Sequence, residues 1–95
     1  MTTETPIQVL DLTPVGRYAN GSPVFKGFHT SFPTRNVRAV GDELATPEEA
    51  FATARQVVAD YEKADTYGNM GEALGVIELP GGKYRGVVNT YHSNT

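Results

Sequence analysis

The run from residue 46 to 67, TPEEAFATARQVVADYEKADTY, constrains the fold more tightly than any other stretch. Thr46 followed by Glu49 has the spacing of a capping box, in which the hydroxyl accepts from the Glu49 amide and the carboxylate returns to the Thr46 amide. Pro47 falls at the first helical position, where its missing N–H costs nothing. Glu48 and Glu49 set negative charge against the positive end of the helix dipole, and Ala45 with Ala50 supplies a small hydrophobic staple. Ala50, Phe51, Ala54, Val57, Val58, Tyr61 and Ala64 then recur at helical spacing. Together these predict an amphipathic helix from Pro47 to about Asp65, about 28 Å long and able to cross three or four strands. Gly68 is the first residue suited to a left-handed C-terminal cap.

Such a helix needs a partner layer over its apolar stripe. The 95 residues, 39% of them hydrophobic, suffice for one domain with one modest core, spanning 1–95 with residues 1–5 disordered. Residues 7–12 read as an edge strand, because Pro14 stops it and cannot donate to a ladder. Asn20-Gly21 predicts a type I′ turn between arms 15–18 and 24–32, with Phe28 and Phe32 facing the core. A short strand over 36–40 leads through an acidic loop at 41–43 to the helix. The glycine-rich stretch 68–75 reads as a flexible connection to a second hairpin, 74–79 and 83–91. The fold class expected is α+β, two-layer, with one α-helix packed on an antiparallel sheet of four to five short strands in the order β-β-β-(β)-α-β-β.

If Gly81 and Gly82 form a two-residue turn, Glu78 opposes Arg85, Val76 opposes Val87 and Ile77 opposes Gly86. Gly75, Ile77, Leu79, Tyr84, Gly86, Val88 and Thr90 then face the helix, and the paired glycines Gly75 and Gly86 predict a close helix-to-sheet approach. Val76, Glu78, Arg85, Val87 and Tyr91 are left on the far face as a candidate interface.

Catalytic patterns find little support. There is no cysteine, hence no disulfide, thiolate nucleophile or thiolate metal site. His29 and His92 have no metal-ligand spacing. Gly68, Gly71 and Gly75 follow a helix, whereas a phosphate cradle leads into one. Ser22, Ser31 and Ser93 lack a nucleophile-elbow context, and capping accounts for Glu48 and Glu49. No catalytic residue, cofactor or metal is expected, and the chain reads as a non-enzyme. Without an apolar run of membrane length or a basic, apolar leader it is expected to be soluble, cytoplasmic and unprocessed.

Charge separates two surfaces. Residues 42–65 carry seven acids against Arg55 and Lys63, a local charge of −5, whereas the rest of the chain is +2 and the whole is −3. Asp42, Glu43, Ala52, Arg55, Gln56, Ala59 and Glu62 make up the outer side of the helix and its acidic shoulder, a second candidate interface. Arg17, Tyr18, Lys26, His29, Arg35, Arg38, Lys83, Arg85 and Tyr91 suit a nucleic-acid-binding sheet face, with Lys26, His29, Arg38, Lys83 and Arg85 at its centre. A pI near 5.2 weighs against it, since attraction to phosphate dominates such affinity. The expectation is a small non-enzymatic interaction or regulatory module that binds another protein or a second copy of itself, of a size that suits an accessory protein of a bacterium or phage. Nucleic-acid binding is the alternative.

Overall fold

The expected helix forms as α1, Pro47–Ala64, in a computed structural model that describes residues 7–28, 30 and 32–93. The disorder expected of residues 1–5 lies outside that range. Thr46 caps α1 from an extended conformation, and its hydroxyl oxygen accepts from the Glu49 amide at 3.2 Å. The Glu49 carboxylate accepts from the Thr46 hydroxyl at 3.1 Å, where the capping box predicted the Thr46 amide as its donor. At the other end Gly68 does not take the left-handed cap. The amides of Gly68 and Asn69 turn back to the Asp65 carbonyl, and the Asn69 side chain donates to the Tyr61 carbonyl at 2.8 Å, which satisfies a terminal acceptor of the helix.

The fold is α+β, as expected, and its strands divide into two antiparallel sheets. β1, Gly16–Arg17, pairs with β2, Pro23–Val24; β3, Arg38–Leu44, β4, Asn69–Leu79, and β5, Lys83–His92, form the main sheet in the order β3-β5-β4. Two predicted loops are strand. Residues 41–43 belong to β3 as a bulge, with Gly41 left-handed at φ 77° and its carbonyl accepting from Arg85 Nε at 2.8 Å. The glycine-rich stretch after the helix is the first half of β4. Its glycines serve close packing rather than flexibility: a Cβ on Gly71 would lie 3.2 Å from Val58 Cγ1 of α1.

The β4–β5 register differs by one residue from the expected one. Leu79 pairs with Lys83, Ile77 with Arg85 and Val76 with Gly86, closing a three-residue turn in which Gly81 and Gly82 are left-handed at φ 85° and 73°. A one-residue slip exchanges the faces of a strand. Val76 and Gly86 therefore share the helix side, while Gly75, Ile77 and Val87 point away from it. A bulge between Ala73 and Gly75 then sets Ala73 opposite Val88 and Gly71 opposite Thr90. The glycines beneath the helix are Gly71 and Gly86, not Gly75 and Gly86. At Gly86 a Cβ would fall on the Ala50 carbonyl oxygen and 2.7 Å from Ala54 Cβ, so only glycine admits α1 this closely. Ala54, Val58 and Val88 form the core there, with Val40 and Ala73 packed against it.

The opposite face is covered too. Residues 7–10 run along the outer edge of β4 as a single parallel bridge, with the Val76 amide donating to Gln8 and the Leu10 amide to Val76. The edge strand expected at 7–12 is thus reduced to one bridge, Val9 with Val76, and it is parallel. Gly75 faces this segment, against Gln8 and Leu10. The hairpin at Asn20-Gly21 forms, but Gly21 alone is left-handed, at φ 88°, whereas a type I′ turn needs positive φ at Asn20 as well. The Gly21 amide donates to Tyr18 and the Tyr18 amide to Ser22, a turn with a glycine bulge. The long second arm breaks after Val24, where Gly27 turns left-handed at φ 94° and Phe25 stacks on Phe28. A 3-10 turn, Thr34–Asn36, leads into β3. Among the described residues no helix is long and apolar enough to cross a membrane.

Candidate binding cleft

The irregular arm between β1 and β3 encloses a cleft of about 520 Å³ walled by Tyr18, Phe25, Phe28, Phe32 and Pro33, with Ser22 and Thr34 among its polar lining. Local sequence builds it. The bulged turn places Tyr18 beside Asn20, whose carboxamide oxygen accepts from the Ser22 amide at 3.0 Å. Gly27 reverses the chain so that Phe28 returns onto Phe25 at a ring separation of 5.4 Å. The Thr34 hydroxyl donates to the Pro23 carbonyl, and the Thr30 hydroxyl to the Phe32 carbonyl at 2.6 Å. Phe32 stacks on Tyr91 of β5 at 5.6 Å, and the Asn89 carboxamide donates to both the Phe32 and the Pro33 carbonyls. The cleft is thereby fixed to the far face of the main sheet.

The aromatic walls are one constraint on what the cleft can hold; Ser22 beneath them is 4% exposed, and its hydroxyl is closed off from solvent without a hydrogen-bond partner, a costly arrangement. Charge adds a second constraint. Residues 12–41 hold Arg17, Lys26, Arg35 and Arg38 and no acid at all. Arg17, Lys26 and Arg35 are exposed, and the Arg17 guanidinium braces the turn by donating to the Gly21 carbonyl at 2.9 Å. The arrangement suits a planar apolar group that carries a hydrogen-bonding atom and sits in negatively charged surroundings.

The expected far-face interface does not exist as one surface. Val76 and Val87 are fully buried and lie on opposite sides of the sheet. Glu78 lies on the helix side opposite Tyr84, whose hydroxyl donates to it at 3.2 Å, and the Glu78 charge raises the Tyr84 pKa. Arg85 is held by Gly41, and Tyr91 by Phe32. On the helix, Ala52, Arg55, Gln56, Ala59 and Glu62 are exposed together, as are Asp42 and Glu43 on β3. Gln56 there donates to Asp60, and Glu62 accepts from the Gly71 amide at 3.3 Å. A shallower groove of about 320 Å³ runs between this side and β4, past Phe51, Arg55, Ala59 and Ala73.

The basic set is divided. Arg38 donates to the Asn36 carbonyl and the Thr90 hydroxyl, Arg85 to Gly41, and Lys83 stands at the far end of β5, while Lys26 belongs to the cleft arm. His29 lies outside the described residues. His92 pairs with Asp65 at 3.1 Å at the C-terminal end of α1; this hydrogen bond, then one from the Tyr67 amide, holds the Asp65 carboxyl below its usual pKa. Among the described residues no group of three or more histidines and acids is placed to hold a metal ion. The cleft itself was missed in the sequence, where its signal is an acid-free run carrying four aromatic residues and an interrupting Gly27.

Fold and cleft together make a small α+β domain with an aromatic-lined cleft outside its main core. No protein-family model, curated protein or solved structure that was compared with the chain matches it.

Proposed function

We propose that this chain is a small non-enzymatic interaction module of the cytoplasm. It binds a protein partner by taking an aromatic side chain from an acidic segment into the cleft between Tyr18 and Phe32. The observation that carries this reading is the cleft walled by four aromatic side chains, with exposed Arg17, Lys26 and Arg35 next in sequence to its lining residues. Aromatic side chains in a desolvated pocket are the usual anchors of protein recognition, and the bases steer an acidic segment toward it. Nucleic acid is the weaker candidate, because Arg38 and Arg85 are engaged within the fold and the chain carries a net charge of −3.

The test is an NMR titration with a short acidic peptide containing one tyrosine. The expected result is chemical-shift change concentrated at Tyr18, Ser22, Phe25 and Phe28, weakened by salt and lost when the tyrosine is replaced by alanine. Shifts confined to α1, or none at millimolar peptide, would overturn the reading.

A further inference from the structure

The chain itself presents such an aromatic group. Tyr67, in the turn between α1 and β4, is 98% exposed, the extreme among the large apolar side chains described. A tyrosine fully in water gains nothing from its ring, yet this one is held on a fixed platform. Its amide donates to Asp65 Oδ1 at 3.1 Å, Asp65 Oδ2 pairs with His92, and the Ser93 amide donates to the Gly68 carbonyl at 2.9 Å. Residues 60–67 contain Asp60, Glu62 and Asp65 against Lys63 alone. The knob is therefore aromatic and acidic, and the cleft is aromatic and hydroxyl-lined, on an arm whose exposed charged side chains are basic.

We infer that the cleft is filled by Tyr67 of a second copy of this chain. The inference rests on the cleft being a protein-binding site, as proposed above. In the complex the Tyr67 ring lies among Tyr18, Phe25, Phe28 and Phe32. Glu62 and Asp65 meet Arg17, Lys26 and Arg35 around the rim. The position of the two features permits closure. Phe32 stacks on Tyr91, and Asp65 holds His92, the next residue on the opposite face, so cleft and knob flank the same end of β5. Two copies related by a two-fold axis can exchange both contacts at once, which gives a closed dimer rather than an open chain. Because the knob is already ordered, little conformational freedom is lost on association.

The experiment is sedimentation of the full chain from micromolar to millimolar concentration, for wild type, Tyr67→Ala, Tyr67→Phe and Phe28→Ala. Wild type is expected to dimerise with a salt-weakened affinity. Tyr67→Ala, at a fully exposed position that leaves the fold untouched, should weaken the dimer at least tenfold. Tyr67→Phe, which keeps the ring that fills the cleft, should leave the dimer nearly unchanged. Mixing Tyr67→Ala with Phe28→Ala, which together retain one intact cleft and one intact knob, should restore a heterodimer. A dimer that persists in Tyr67→Ala overturns the inference. So does a wild type that stays monomeric at millimolar concentration; if that monomer still takes the acidic tyrosine peptide, the cleft reading survives, and if it does not, both fall.

Discussion

Asn89, buried on β5, donates its carboxamide to the carbonyl oxygens of Phe32 and Pro33, at 3.2 and 3.1 Å. This side chain joins the regular sheet to the irregular arm that holds the cleft. Its own carbonyl oxygen has no partner, so the arrangement favours the arm's carbonyls at the expense of one buried acceptor.

Asn89→Ala should therefore loosen the arm more than the sheet. Losing two hydrogen bonds costs about 1–3 kcal/mol. Hydrogen exchange should report it as faster exchange at the Tyr18, Ser22 and Val37 amides, with the amides of α1 and β5 little changed. Equal acceleration throughout the chain would show that arm and sheet unfold as one unit.

Val87→Asp tests the register. The sequence put Val87 on an outward face, where an aspartate would dissociate a partner and leave the domain folded. In the structure Val87 is fully buried opposite Gly75, under the segment that contains Leu10. An unpaired carboxylate there costs several kcal/mol, a large share of the total stability of a domain this small. Circular dichroism should show an unfolded or molten chain, and Val87→Ala should remain folded but lose about 1–3 kcal/mol.

The difference between these two views shows what the sequence could carry. The start of α1 was legible because its signals are local: Thr46, Pro47 and Glu49 act within one turn and need nothing from the rest of the chain. The sheet register was not, because Pro80-Gly81-Gly82 can close a two-residue or a three-residue turn, and glycine accommodates both. One residue of slip then moved Val76 to the helix side and carried Gly75 away from it. The glycine-rich start of β4 looked flexible because glycine has two uses, and only the presence of Val58 above Gly71 separates close packing from mobility. The cleft was least legible. It depends on Gly27 breaking an alternating strand pattern and on Asn89, 57 residues beyond Phe32, holding the broken arm in place.

Gly86 and Gly16 form a contrasting pair. Gly86→Ala drives a methyl group into the Ala50 carbonyl and Ala54, so α1 must lift from the sheet at a cost of about 1–3 kcal/mol. At Gly16 an added Cβ meets nothing within 4 Å and the backbone is not left-handed, so Gly16→Ala should be neutral or slightly stabilising. Urea denaturation of both variants measures the contrast. A harmless Gly86→Ala would mean that α1 does not rest on β5 as described.

Acid should release the turn that carries Tyr67. Asp65 titrates below its ordinary value in the folded protein, chiefly because His92 donates to it and secondarily because the Tyr67 amide does. In the unfolded chain an aspartate titrates near 3.9, so between its folded and unfolded values the folded protein binds fewer protons. The stabilisation is therefore complete above the unfolded value and disappears as pH falls through the folded one. Asp65→Asn should lower the urea midpoint near neutrality and make no difference in strong acid, where the wild-type carboxyl is protonated as well. His92→Ala, which removes the larger cause, should move the Asp65 carboxyl titration, followed by carbon NMR, back toward its ordinary value. Because the same carboxylate fixes the Tyr67 amide, Asp65→Asn should also weaken self-association near neutrality. A dimer equally strong in that variant would separate the order of the turn from the work of its tyrosine.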